Sequence, residues 1–131
     1  RAADYDPRVL VRMRGGEGVK AADYLALQQN RERIIRAVDV QMADFDAVVM
    51  PTVPVAAPTM SSLQDDAAYH DMNGLMLRNP GVVNFIDGCA ISLPCHDDTG
   101  SPVGLSLIGR CNGDAQLLRL ASAAEHVVQK R

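Results

Sequence analysis

No apolar run in this sequence approaches the about 18 residues that a helix needs to cross a bilayer, so no membrane span is expected. Basic residues are not in excess. Lys+Arg 13 stand against Asp+Glu 16, for a net charge of -3. That balance argues against a general nucleic-acid binder, whose footprint is a basic stripe. Cysteine is scarce and odd in number: Cys89, Cys95 and Cys111, with no CxxC pair. Cys89 and Cys95 fall in one apparent strand, where six residues at about 3.3 Å each span ~20 Å, too far for a disulfide. All three are expected to be buried and reduced, as in a cytoplasmic protein. The opening Arg1-Ala2-Ala3-Asp4 has neither an initiator Met nor an apolar signal region. A fragment or a processed chain, cytoplasmic in location, is therefore expected. There is no internal repeat and no low-complexity tract.

What is present suffices for a folded core. Hydrophobic residues make up 47% and charged residues 22% of 131 residues, the profile of one globular domain or part of one. Pro7 is placed to open a short helix ending at Gly15, Gly16 and Gly18. A long helix should follow over Ala21–Ala43, with Leu27, Ile34, Val38 and Met42 on one face. Its Arg31, Arg33 and Arg36 can stay in water or pair with acids. The run Asp46 to Pro51 has the look of a buried parallel strand. Thr52 to about Asp71 suggests a long irregular connection, then a helix in part of Met72–Phe85, interrupted or started by Asn79-Pro80-Gly81. Cys89–Pro94 and Val103–Gly109 should form two antiparallel strands joined by the Asp- and Gly-rich turn from His96 to Ser101. Asn112-Gly113-Asp114 should cap a last helix to about Gln129, striped by Leu117, Ala121, Ala124 and Val128. The expected fold is α/β: a small mixed β-sheet with both faces covered by helices.

Few motifs offer chemistry. Gly104-Leu105-Ser106-Leu107-Ile108-Gly109 approaches GxSxG, but its second Gly comes one residue late and Ser106 sits mid-strand. His70, His96 and His126 are too far apart to cluster, and no metal site is expected; His96-Asp97-Asp98 is first of all a turn. Cys95 and His96 are adjacent, so on a strand they point to opposite faces and make a poor nucleophile–base pair. Gly16-Glu17-Gly18 with Ala21 gives GxGxxA after Val9-Leu10-Val11, with Asp39 roughly where a ribose-binding acid belongs. A nucleotide-binding domain is therefore one alternative.

Three stretches together are more specific. They are Asp46-Ala47-Val48-Val49-Met50-Pro51-Thr52-Val53-Pro54 with Ala57-Pro58; Asn84 through Gly88, Ser92 and Pro94; and Gly100-Ser101-Pro102-Val103-Gly104-Leu105-Ser106-Leu107-Ile108-Gly109, followed by Asp114 to Glu125. In order and spacing they resemble the C-terminal region of the amidase signature family. The resemblance implies that residues 1–131 are a C-terminal fragment of a single amidase domain, helical over 1–45 and mixed α/β over 46–131, part of an α/β/α fold. It also implies an amide-bond hydrolase that needs no cofactor and acts on a small-molecule amide. The family nucleophile is a Ser, assisted by a second Ser and a Lys in a Gly-Ser-rich signature and an upstream Lys motif. Neither motif is here. Lys20 and Lys130 are the only lysines, and Ser61-Ser62, the only adjacent serines, are flanked by Met60 and Leu63 instead of glycines.

No catalytic residue is carried over, so the chain alone is expected to be inactive. Arg12, four residues before Gly16, resembles an Arg-x-x-x-Gly element that can face substrate in some members, although a surface Arg on a short helix is the simpler reading. Asn84 and Asp87, just before a strand, are candidates for the pocket wall or for caps and turns. Leu77 stands seven residues before Asn84, where the tRNA-dependent amidotransferase branch of the family carries an Asp suited to an ammonium group. The alternative from another class is a non-catalytic binding or dimerisation module. A homodimer of the fragment is possible because apolar strands would lack their full cover.

Overall fold

Asp6 starts the first helix, α1 (Pro7–Arg14), by accepting a hydrogen bond from the Arg8 backbone N–H at 2.8 Å. Pro7 occupies the first turn, where its missing N–H has no helical partner to lose. The structure is a computed structural model that describes residues 1–96 and 100–128. Val9, Leu10 and Val11 lie inside α1. No strand precedes Gly16, and the nucleotide-binding alternative fails on that ground.

α2 (Ala21–Met42) follows, and its apolar stripe is only half used. Met42 is 7% exposed, whereas Leu27 and Ile34 are 59% and 46% exposed. β1 (Val48–Pro51) comes next, then a short 3-10 turn at Met60–Leu63, then α3 (Asp66–Phe85). α3 begins earlier than the sequence suggests because Asp65 caps it, accepting from the Ala68 N–H at 2.9 Å. It also runs through Pro80. An interior proline costs roughly 3 kcal/mol of helix stability. Beyond it, the last turn buries Val83 against Met42 and Ile108, with Ile86 packed alongside. Each such burial contributes about 1.5–3 kcal/mol, enough to carry the helix past the break.

β2 (Cys89–Pro94), β3 (Gly104–Gly109) and α4 (Asp114–Val128) complete the chain. Gln129, the expected end of α4, lies outside the described residues, as do Asp97, Asp98 and Thr99 of the β2–β3 turn. Asn112 takes the left-handed conformation before α4, with φ 60°, a backbone that Asn tolerates better than most residues. The turn around Cys111 is at the surface, so this cysteine is exposed, and Cys89 and Cys95 are half-buried; the expectation of three buried cysteines was wrong.

The sheet order is β1-β3-β2, and both pairings are antiparallel. The α/β class stands, but β1 is not in a parallel pair: β3 inserts between it and β2, which runs in the same direction. Alternation along β3 then divides the core into two layers. Leu107 and Leu93 face α4, where they pack with Leu117 and Ala121. Ile108 faces the other way, against Met42 of α2 and Val83 of α3. Helices thus cover both sides of the sheet, but unevenly. Val49 of β1 is 60% exposed, because α4 packs on β2 and β3.

Candidate functional site

The layer between the sheet and α3 changes from apolar to polar along its length. Ser92 and Ser106 are directly opposed on β2 and β3. On the other side of β3, the Thr52 N–H donates to the Gly104 carbonyl at 2.8 Å, carrying the ladder one step past Pro51. Three hydroxyls therefore meet. Thr52 Oγ1 lies 2.5 Å from Ser92 Oγ and 2.9 Å from Ser106 Oγ, and either oxygen of each pair can donate. Ser106 is 7% exposed and has its partner, as a buried hydroxyl must. Gly104 makes room for the cluster. A Cβ there would collide with the hydroxyl oxygens of Ser92 and Thr52.

α3 supplies the facing wall through Asn79, Pro80, Val83 and Asn84. Asn79 Nδ2 donates to the Pro51 carbonyl at 2.7 Å and so ties α3 to the end of β1. Between the walls is an open cavity of about 290 Å³. Among the described residues, no Asp, Glu, Lys, Arg or His lines it. A hydroxyl becomes a nucleophile only when a base takes its proton. Among the described residues, the side-chain hydroxyls of Thr52, Ser92 and Ser106 bond only to one another. Such a surface can exchange hydrogen bonds with a neutral polar group. It offers no counter-charge to an ionic one, whose burial would be costly.

The three expected site residues are not brought together. Asn84, in the last turn of α3, lines the cavity. Asp87 lies just beyond and does not line it. Its carboxylate is ion-paired with Arg31 at 2.5 Å. Arg12 is exposed in the last turn of α1 and makes no ion pair or side-chain hydrogen bond among the described residues. α1 is tied by Arg8 to Asp66 at 2.7 Å, at the start of α3. The 20 residues of that helix put about 30 Å between its two ends.

His96 stays in the β2–β3 connection, with Nδ1 3.1 Å from the Val103 carbonyl oxygen. Among the described residues, no group of three or more His, Cys, Asp or Glu could hold a metal ion. Thr52, Ser92, Ser106 and Asn79 were not among the site residues expected from the sequence. One usable signal was there: Ser92 and Ser106 are polar residues inside apolar strands. Nothing local showed that the two strands place them opposite each other.

The polar cavity is built from the segments that carry the motifs: Thr52 from the first, Asn84 and Ser92 from the second, Gly104 and Ser106 from the third. The family model described as Amidase matches residues 1–118. The chain belongs to the amidase family. It is 35% identical over 114 residues to the fatty acid amide hydrolase of Oryza sativa subsp. indica, covering 85% of this chain and 19% of that protein. It is 36% identical over 130 residues to a glutamyl-tRNA(Gln) amidotransferase chain of Syntrophomonas wolfei, covering 95% of this chain and 26% of the relative. Allophanate hydrolase of Kluyveromyces lactis superposes with a TM-score of 0.73 at 25% identity, covering 94% of this chain and 20% of that one. The chain thus spans 19% to 26% of the length of these proteins.

Gly104 gives a direct check on the cluster. Gly104→Ala should destabilise the chain by about 1–3 kcal/mol through overpacking. Gly18→Ala, whose Cβ would meet nothing within 4 Å, should stay within about 0.5 kcal/mol of wild type. Urea unfolding midpoints of the two variants make the comparison, and equal midpoints would show that the hydroxyls do not crowd Gly104.

Proposed function

We propose that this chain is the C-terminal, pocket-forming segment of a longer amidase that cleaves the C–N bond of small amides, and that it supplies no catalytic residue itself. The observation that carries this reading is the convergence of the three motif segments on one uncharged cavity lined by hydroxyl and amide groups. Two absences support the second half: the catalytic Ser and Lys motifs of the family are missing from the sequence, and among the described residues no base is bonded to the clustered hydroxyls. In this account Asn84 hydrogen-bonds the neutral end of the substrate, and Asp87, paired with Arg31, supports the cavity wall from beside it without lining it. Arg12 reaches substrate only once the rest of the enzyme is in place.

The charge pattern favours a stand-alone amidase over a component of an amidotransferase. Glutamine brings an ammonium and a carboxylate, and the cavity offers neither a partner. Leu77 cannot hold the cation either. A urea-like or other small amide fits better, and the likeness to allophanate hydrolase points the same way. The test is hydrolysis by the full-length enzyme. Simple and urea-like amides should be cleaved with kcat/KM at least about 100-fold above that for glutamine, and the 131-residue chain should turn over neither. Efficient glutaminase activity that rises when a tRNA-amidating partner is added would overturn the substrate assignment. Turnover by the chain alone, abolished by one substitution within it, would overturn the assignment of roles.

A second reading, association of the chain with itself, rests on a different observation. Val11, Leu25 and Leu27 are each about 60% exposed on α1 and α2, and among the described residues no strand covers the outer edges of β1 and β2. Open edges and apolar patches pair readily. Light scattering on the isolated chain should show a dimer at high concentration. A monomer that binds no apolar-surface dye would remove this reading.

A further inference from the structure

α3 ends in an unusual way for the residues it uses. The Gly88 N–H donates to the Val83 carbonyl at 3.0 Å, and the Ile86 N–H to the Val82 carbonyl at 3.1 Å. That first bond, spanning five residues, is the signature of a Schellman ending, which places the residue after the C-cap in the left-handed region. The residue there is Asp87, with φ 54°. Glycine is the usual occupant because it carries no Cβ. Here the glycine comes one position later. A Cβ on Gly88 would lie 2.9 Å from the Gly109 carbonyl oxygen, so that position must be glycine for β2 to pass close to the end of β3. The strained position is thus left to a residue that needs external support.

The support comes from α2. Arg31 Nη2 donates to Asp87 Oδ1 at 2.5 Å and lies 3.4 Å from the Asn84 carbonyl oxygen, to which it also donates. Its guanidinium sits 5.7 Å from the centre of the Phe85 ring, within reach of a cation–π contact. The Arg31 side chain is 29% exposed. One planar cation therefore touches three of the four residues from Asn84 to Asp87, and it stands at the negative end of α3.

From these contacts we infer that Arg31 is a positioning residue for the cavity. It holds Asp87 left-handed, and so fixes the last turn of α3, from which Asn84 lines the cavity, and the entry into β2, which carries Ala90 and Ser92 to it. This assignment rests on the proposed amidase pocket, which gives the cavity its ligand. It also explains why Asp87 lies beside the site and not in it.

The experiment uses the full-length enzyme with a small neutral amide. Arg31→Gln should raise KM about tenfold while kcat stays within about twofold, because a loosened cavity wall weakens ground-state and transition-state binding alike. Asp87→Ala should behave similarly, since it keeps the strain and loses the ion pair. The diagnostic variant is Asp87→Gly in the Arg31→Gln background. Glycine accepts the left-handed turn unaided, so KM should move back toward wild type instead of rising further. An unchanged KM in Arg31→Gln, with only the melting temperature lowered, would overturn the inference. So would additive losses in the double variant.

Amide hydrogen exchange separates failure of the clamp from failure of the proposed function. If the enzyme cleaves no amide, the substrate assignment falls, but Arg31→Gln should still speed exchange at the Gly88 N–H about tenfold. Unchanged exchange there would overturn the clamp. Faster exchange with an unchanged KM would limit Arg31 to a structural part and also overturn the positioning role.

Discussion

A hydroxyl enclosed between a sheet and a helix must find a hydrogen-bond partner or cost about 1–3 kcal/mol, and Thr52 is the partner on which this arrangement turns. It bonds Ser92 and Ser106 together, and it can do so only in one register. Ser106 must stand opposite both Ser92 and Met50, and Gly104 must lack a side chain. A slip of one residue along β3 would send Ser106 into the apolar layer beneath α4 and bring Leu107 to the cavity. The two cores and the cavity are therefore consequences of the same pairing. Leu93, Leu107, Leu117 and Ala121 close one side. The other side is apolar at Met42, Val83 and Ile108 and polar where β1 gives way to Thr52.

Charge is used at the margins of this layer. Arg8–Asp66 and Arg31–Asp87 join α1 and α2 to opposite ends of α3, each with one partner largely exposed. Pairs of that kind contribute little to stability. Their value lies in geometry, since each fixes a helix end against a neighbour. The cavity stays uncharged, and its hydrogen-bonding groups are hydroxyls and side-chain amides. This difference underlies the proposal that the chain shapes a pocket for a neutral amide while the chemistry is done elsewhere in the enzyme.

Much of the fold was readable in the sequence where local signals decide it. Pro7 after Asp6 marks the start of α1, the apolar run Cys89–Pro94 gives β2 its bounds, and the family motifs mark the segments that converge. What escaped was set by partners far along the chain. α3 passes Pro80 because Val83 and Ile86 pack on α2 and β3, and no property of Asn79-Pro80-Gly81 reveals that. The sheet order β1-β3-β2 puts Thr52 beside serines 40 and 54 residues away. Arg31 was recognised as a residue able to pair with an acid, but its choice of Asp87, 56 residues on, depends on how α2 crosses the end of α3. Asn84 and Asp87 were equal candidates in the sequence, and only the end of α3 separates them: Asn84 lines the cavity and Asp87 turns to Arg31 beside it.

The central claim is that the cavity beside Thr52, Ser92 and Ser106 is a substrate wall. The most direct measurement is a structure of the full-length enzyme with a small, slowly hydrolysed amide or urea bound. The account predicts that a polar atom of the ligand lies within hydrogen-bond distance of the Asn84 side chain or the Ser92 hydroxyl, with no charged side chain of residues 1–131 other than Arg12 in contact with it. A cavity filled by the enzyme's own side chains, with the ligand bound away from Asn84 and Ser92, would contradict it.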